Sequence, residues 1–286
     1  MLSYFKNKLL LLFHKSLYKP GHYYSPIPNL TEIRLKENQI FQQTGNINDI
    51  QLNTENQHAL LENLKEFHTD FSFPEENSHE YRYFSNNPFF IRSDAYFLYS
   101  FMRYFKPKQI IEIGSGFSSA LMLDVNRKFL SESIELSFIE PFPDRLYSLI
   151  GNDLENKNII VSKVQDVPLE FFDTLDKNDI LFIDSSHISK IGSDVNHIIF
   201  TILPRLKSGV IIHFHDITWP FEYPKDWIYE GRFWNEAYLL RAFLMNNSSY
   251  EILLFNNYLA QNYAGWLAEN LPLACGGGGS FYMVKK

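Results

Sequence analysis

The chain has little cysteine: Cys275 is the single one among 286 residues. No intrachain disulfide can form, and such sparse thiol usage suits a reducing compartment. Long hydrophobic runs are missing as well. No stretch reaches the roughly 18 consecutive apolar residues of a bilayer-spanning helix. Positive charge is not in excess. There are 26 Lys and Arg against 33 Asp and Glu, a net charge of −7, so an extended nucleic-acid surface is not expected. Internal repeats are absent, and the one low-complexity piece is the glycine run at 276–279. A core, by contrast, is well supplied. Hydrophobic residues make up 45% of the chain, which argues against disorder. Aromatics reach 16%, with 26 Phe and 17 Tyr, enough to fill a core or line a pocket. The length allows one large domain, or one domain with an extension.

The first residues, "MLSYFKNKLLLLFHKSLYKP", set Lys6, Lys8, Lys15 and Lys19 around an apolar run at 9–13. The run is short for a signal peptide, and no small-residue cleavage site follows it. An amphipathic basic helix is expected. It either packs on the domain or touches a membrane surface or a partner. The expected location is therefore cytoplasmic, with peripheral membrane contact as the alternative. Residues 1–93 read as a helical and extended cap. "YKPGHYYSPIPNL" carries turn signals. "LTEIRLKENQIFQQ" suggests a short helix capped by Thr31. "NTENQHALLENLKEFH" suggests a better one, capped by Asn53 or Thr54, with Leu60, Leu61, Leu64 and Phe67 on one face.

From residue 94 onward the pattern becomes regular. "SDAYFLYSFMRYF" reads as a helix capped by Ser93 or Asp94 and ended by Pro107. The strands "QIIEI", "IELSFIE", "NIIVSKV", "DILFID" and "GVIIHFHD" then alternate with helices, among them a long one over "SDVNHIIFTILPRL". The strands are continuously apolar rather than alternating, which implies burial on both faces of a parallel sheet. Strands separated by helices imply right-handed crossovers and a doubly wound α/β architecture over 94–286. A further helix, "NEAYLLRAFLMN", and a strand, "YEILLFN", precede the glycine run and a short final strand.

"EIGSGFSS" joins the first strand to a helix start. Ligands of open parallel sheets sit at the carboxyl ends of the strands. A glycine turn there lets a ligand approach the backbone, and the helix start offers free N–H groups. A dinucleotide site wants G-x-G-x-x-G. Gly114 and Gly116 fit, but the third position is Ser119. An acid two residues before the first glycine, here Glu112, suits a cationic ligand such as the methionine moiety of S-adenosylmethionine and sits poorly beside a pyrophosphate. Glu140 ends the next strand, where an acid can accept both hydroxyls of a ribose. Asp166, after the third strand, either accepts an adenine amino group or caps the turn before Pro168.

At these residues the chain resembles the class I S-adenosylmethionine-dependent methyltransferases, from about residue 94 to the C-terminus. "EIGSGFS" looks like their first motif, with Ser118 in place of the usual third glycine. The resemblance implies a Rossmann-like, doubly wound, mostly parallel seven-stranded sheet with an antiparallel last strand, behind a helical N-terminal extension. It implies that Glu112, Gly114, Ser115 and Gly116 hold the methionine part of the cofactor, Glu140 the ribose and Asp166 the adenine edge.

The fourth strand ends in "LFIDSSHISK" and the fifth in "IIHFHDITWP". Both ends belong on the rim that carries the glycine turn, so Asp184, His187 and Asp216 are expected to converge beside the methyl donor. A hydroxyl acceptor must lose its proton, and histidine suits that task. Mg²⁺ favours carboxylates, which makes Asp184 and Asp216 candidate metal ligands and His187 the candidate base. The alternatives are an Asp184 that orients cofactor or backbone, a His187 that caps the next helix and an Asp216 that caps a turn. His213 and His215 share one strand face and read as core residues.

The D-x-x-H of Asp184 and His187, followed by His215 and Asp216, resembles a narrower group of sugar-modifying methyltransferases, some of them magnesium-dependent. That likeness implies O-methylation of a sugar-like hydroxyl. The insertion at 218–238 reads as an aromatic lid, with Trp219, Glu222, Tyr223 and Arg232 as candidate contacts to a sugar, or else as a packed lid without substrate contact. The expected partner is a small-molecule or glycan acceptor, with oligomer formation open. An NAD-dependent oxidoreductase on a similar sheet and a non-catalytic cofactor-binding protein are the other readings.

Overall fold

The computed structural model describes residues 18–41, 47, 49–151 and 158–286. The basic helix expected at the start falls in 1–17, outside the described residues. The chain divides into two compact units, residues 1–44 with 224–233, and residues 45–223 with 234–286. The expected boundary at 93 does not coincide with this division, because 45–93 fold with the sheet.

The smaller unit holds the helices Leu30–Leu35, Glu37–Phe41 and Lys225–Tyr229. Asn29, not Thr31, caps the first. Its side-chain oxygen accepts from the N–H groups of Thr31 and Glu32 at 3.0 and 3.3 Å, which satisfies orphan donors of the first turn. Glu37 ties the unit together by accepting from Lys225 Nζ at 2.9 Å and from the Tyr229 hydroxyl at 2.8 Å.

The larger unit is built on a seven-stranded sheet. Its strands are β1 Gln109–Ile113, β2 Glu135–Ile139, β3 Asn158–Ile160, β4 Ile180–Ile183, β5 Ile211–Phe214, β6 Tyr250–Phe255 and β7 Phe281–Lys285, in the order β3-β2-β1-β4-β5-β7-β6. The pairs among β1 to β5 are parallel, and β7 runs antiparallel to both β5 and β6. Every residue of β1, β4 and β5 is buried, as continuous apolar strands require when helices cover both faces. After β3 the chain returns across the sheet to place β4 on the other side of β1. Crossovers on either side of β1 diverge there, and a crevice opens at the carboxyl ends of β1 and β4.

Residues 45–93 are stitched to this unit by buried polar groups. Gln57 bridges Leu52 O at 2.6 Å and the N–H of Phe255 at 2.8 Å. The fully buried Asp124 accepts from the N–H groups of Arg82 and Tyr83 at 2.7 and 3.0 Å, and from Arg82 Nη1 at 2.9 Å. The helix expected from residue 93 begins one residue earlier, at Arg92–Phe105, and Ser93 and Asp94 do not cap it. Asp94 is buried and accepts from the N–H of Ser280 at 2.9 Å and of Gly279 at 3.2 Å, while Ser93 donates to Gly277 O. The expected long helix after β4 is one α turn, Asp194–His197, a π turn, Ile198–Ile202, and a 3-10 turn, Leu203–Arg205. Pro204 carries no N–H, so a regular helical ladder cannot pass it. Among the described residues no helix is long and apolar enough to cross a membrane.

Candidate active site

Parallel pairing sets Ile113 opposite Ile183, so the residues that leave β1 and β4 emerge side by side. The N–H of Asp184 donates to Ile113 O at 2.8 Å. Gly114 has φ of +82°, and a Cβ there would fall 2.0 Å from the Asp184 carbonyl oxygen. Both the dihedral and the contact demand glycine. A Cβ at Gly116 would meet Arg145 Cδ at 3.2 Å.

Glu112 is fully buried beneath this turn. Its carboxyl accepts from Ser118 Oγ at 2.5 Å and from Ser119 Oγ, while Ser119 Oγ accepts from the Gly116 N–H at 2.9 Å. The serines that stand where both glycine patterns want a third glycine therefore clamp the turn to Glu112. Burial pushes the Glu112 carboxyl up to about 8, helped by the charges of Asp184 and Glu140 and opposed by the two serine hydrogen bonds. Read from sequence as a charge facing the ligand, Glu112 lies behind the turn, and what its contacts fix is the shape of the crevice.

Glu140 follows β2. Its two oxygens accept from the N–H of Ser115 at 3.1 Å and of Phe142 at 2.8 Å, and each keeps a lone pair for a further donor. The N–H of Glu140 donates to Ile160 O at 3.0 Å, which places the end of β3 beside it. Beyond lies a cavity of about 450 Å³ walled by Ile160, Ser162, Val167 and Phe171, with Asp166 at its edge. Glu112, Gly114, Ser115, Gly116 and Glu140 are thus gathered at one crevice, and Asp166 stands exposed one strand further out, on the 3-10 turn Val164–Asp166.

On the other flank, Asp184, His187 and Asp216 do converge. Their ligating atoms lie within 4.8 Å of one another. His187 Nε2 is 3.4 Å from Asp184 Oδ1 and 3.6 Å from Asp216 Oδ2. His187 and Asp216 both adopt left-handed φ, 59° and 57°, a conformation kept only where the surroundings over-determine it. For His187 those surroundings are the start of the helix Glu236–Leu244. The His187 carbonyl accepts from the N–H of Asn235 at 3.0 Å and of Glu236 at 3.2 Å, satisfying donors that the helix cannot satisfy itself. The buried Glu236 carboxylate meets His187 Nδ1 at 2.9 Å and accepts from Ser185 Oγ at 2.8 Å. Trp234 covers the imidazole at a ring separation of 4.3 Å.

Burial alone would lower the His187 pKa, but its hydrogen bonds to Asp184 and Glu236 and their charges hold it well above the ordinary value. Burial likewise opposes ionisation of Asp184. There the His187 hydrogen bond, with the charges of His215, His187 and Arg145, wins and lowers the carboxyl. For Asp216 burial wins, and its carboxyl is raised. His213 is fully buried, stacked on Phe182 at 3.8 Å, as expected of a core residue, whereas His215, also buried, brings Nε2 to 3.6 Å from Asp216 Oδ1 and so borders the cluster.

Sequence reasoning missed Glu236, the partner that orients His187. The available signal was an acid at the start of a helix, within the aromatic insertion at 218–238. It also missed Asp94 and Gly279. The Ile217 N–H donates to Gly279 O at 3.0 Å, and a Cβ at Gly279 would fall 2.5 Å from Asp216 N. The glycine run is thus the wall against which Asp216 rests, itself held by Asp94.

The expected acceptor contacts separate. Trp219 is buried against Phe255 and Tyr258 at 5.8 and 4.7 Å. Tyr223 is buried, and its hydroxyl accepts from the Ala237 N–H at 3.0 Å. Large aromatic faces were the reason to nominate both, and the same faces make them core residues here. Glu222, half-buried, accepts from the Tyr238 hydroxyl and from the Tyr223 N–H at 2.9 Å. Arg232 belongs to the smaller unit, paired with Glu230 at 2.8 Å.

Residues 111–217 match the family described as a methyltransferase domain. An uncharacterized protein of Archaeoglobus fulgidus is 40% identical over 166 residues, which span 57% of this chain and 75% of that protein. Similar solved structures include an SAH-bound methyltransferase of Podospora anserina, at 17% identity and a TM-score of 0.43, covering 93% of this chain and 99% of that one. Another is an O-methyltransferase of Bacillus cereus in complex with SAH, at 15% identity and a TM-score of 0.42, covering 80% and 91%.

Proposed function

We propose that the chain, whose residues 111–217 match a methyltransferase domain, is an S-adenosylmethionine-dependent enzyme that methylates oxygen, on a hydroxyl of a sugar, glycan or glycosylated small molecule. The observation that carries this reading is the cluster of Asp184, His187 and Asp216, one strand from the glycine crevice. In-line transfer requires acceptor oxygen, methyl carbon and sulfur in close contact, so much of the rate comes from holding both partners on one rim. The turn of Gly114, Ser115 and Gly116, shaped by Glu112, receives the methionine part. Glu140 takes the ribose hydroxyls, and Asp166 the adenine edge across the cavity beside it.

His187 takes the acceptor proton at Nε2, because Nδ1 is committed to Glu236. Three carboxylates, those of Asp184, Asp216 and Glu236, surround that single imidazole. Two of them are the donors that Mg²⁺ prefers, so Asp184 and Asp216 would hold a divalent cation. When bound, such an ion acidifies a hydroxyl and fixes its orientation. His187 sheds its own proton most readily when another positive charge satisfies those aspartates, which is why base and cation are proposed together.

The test is mass spectrometry of a panel of sugars and glycosides incubated with the chain and S-adenosylmethionine. The expected result is one added methylene on one acceptor, lost on addition of excess chelator and restored by Mg²⁺. Turnover that persists in chelator would overturn the cation. Cofactor binding with no methylated acceptor would favour a non-catalytic cofactor-binding protein.

A further inference from the structure

Arg145 lies on the helix Asp144–Ile150, and its side chain runs over the glycine turn, with Cδ 3.2 Å from where a Gly116 Cβ would stand. The guanidinium carbon sits 3.8 Å above the centre of the Phe89 ring. Phe89 is itself fixed. It stacks on Phe117 at 6.1 Å, Asn87 Oδ1 accepts from its N–H at 3.0 Å, and its carbonyl lies 3.4 Å from His215 Nε2. Among the described residues Arg145 forms no ion pair. A ring face attracts a cation without neutralising it, so a positive charge, felt by Asp184 as well, stands at the crevice mouth.

Glu140 and Asp184 present carboxyls to the same crevice. The cofactor's methionine moiety brings a cationic sulfonium and amino group, but also an α-carboxylate, which those acids repel. We propose that Arg145 receives this carboxylate, with Phe89 as its platform. The assignment rests on the S-adenosylmethionine reading above. It makes Arg145 the residue that distinguishes a cofactor with an intact amino-acid end from one without it, since a guanidinium bonds a carboxylate through paired N–H donors.

The experiment is binding calorimetry on the full chain with S-adenosylmethionine and with its decarboxylated analogue, which differs by that carboxylate alone. The unaltered chain binds S-adenosylmethionine on the order of tenfold more tightly than the analogue, as one charge-assisted contact implies. Arg145→Ala erases the preference and leaves the affinity for the analogue within about twofold. Arg145→Lys keeps part of the preference. A full preference retained in Arg145→Ala would overturn the assignment and give the carboxylate to the turn's own N–H groups. Equal losses for both ligands would overturn it in favour of a purely steric role. An unaltered chain that binds neither ligand would instead bring down the cofactor reading, a result distinct from a lost preference.

Discussion

Behind the β1 turn, Glu112 is fully buried and holds two serine hydroxyls, in surroundings that favour its neutral form. At the ends of β4 and β5, Asp184, Asp216 and Glu236 surround one imidazole, and about 39% of the Asp184 side-chain surface and 23% of that of Asp216 stay open. A buried carboxyl with no cationic partner tends to keep its proton and serves as scaffold. For Asp184 the His187 hydrogen bond outweighs burial and favours the charged form, for Asp216 burial raises the carboxyl, and both keep open surface for a ligand. The two flanks of one rim thus divide the work: β1 shapes a pocket, while β4 and β5 supply reactive groups. The contrast also separates the nomination of Glu112 from sequence, as a charge facing the cofactor, from its place in the fold, buried beneath the turn.

The largest effect that would break this comparison is expected at His187. His187→Ala should lower turnover by about 10²- to 10⁴-fold, the usual worth of a positioned base, with S-adenosylmethionine affinity unchanged in calorimetry. A comparable loss of affinity would mean that the flanks are not separable. Next comes Gly114→Ala. Its Cβ would strike the Asp184 backbone at 2.0 Å, so the variant should lose on the order of 3 kcal/mol in urea unfolding, together with cofactor binding. A well-folded, cofactor-binding Gly114→Ala chain would show that the close approach of β1 and β4 is dispensable.

Glu112 sharpens the comparison through pH. Its folded pKa of about 8 lies above the ordinary 4.5. Between those values the folded chain holds a proton that the unfolded chain has released, so this group's contribution to stability is full below 4.5 and falls as pH rises toward 8. Thermal melting across that window should show the fall, and Glu112→Gln, which has no proton to lose, should flatten it. An identical slope in both chains would mean that Glu112 is ionised in the fold. The smallest effect is expected at Glu236. Glu236→Gln keeps a hydrogen-bonding group at Nδ1 and removes the charge, so kcat should fall about tenfold with KM and cofactor affinity unchanged. A change confined to KM would count against its role in orienting His187.

Much of this was legible in the residues. "QIIEI", "DILFID" and "GVIIHFHD" carry the continuous apolar pattern of strands buried on both faces, and they became β1, β4 and β5. Asp184, His187 and Asp216 were legible for the same reason: each follows a strand whose end lies on a known rim. The helix after β4 was less legible, since the periodicity of "SDVNHIIFTILPRL" does not reveal the π and 3-10 turns that Pro204 enforces. Trp219 and Tyr223 were nominated as sugar contacts and are buried, a placement that aromatic composition does not reveal.

What the sequence by itself determined is the alternation of strand and helix, the place of the glycine turn and the types of the reacting side chains, because burial periodicity and turn chemistry are local properties. Tertiary structure alone decided which groups meet. Glu236 reaches His187 across 49 residues and Asp94 reaches Ser280 across 186, contacts for which no local pattern codes. The physical reason is that a carboxyl becomes scaffold or reactive group according to what surrounds it. Those surroundings exist only once distant segments have packed and displaced water.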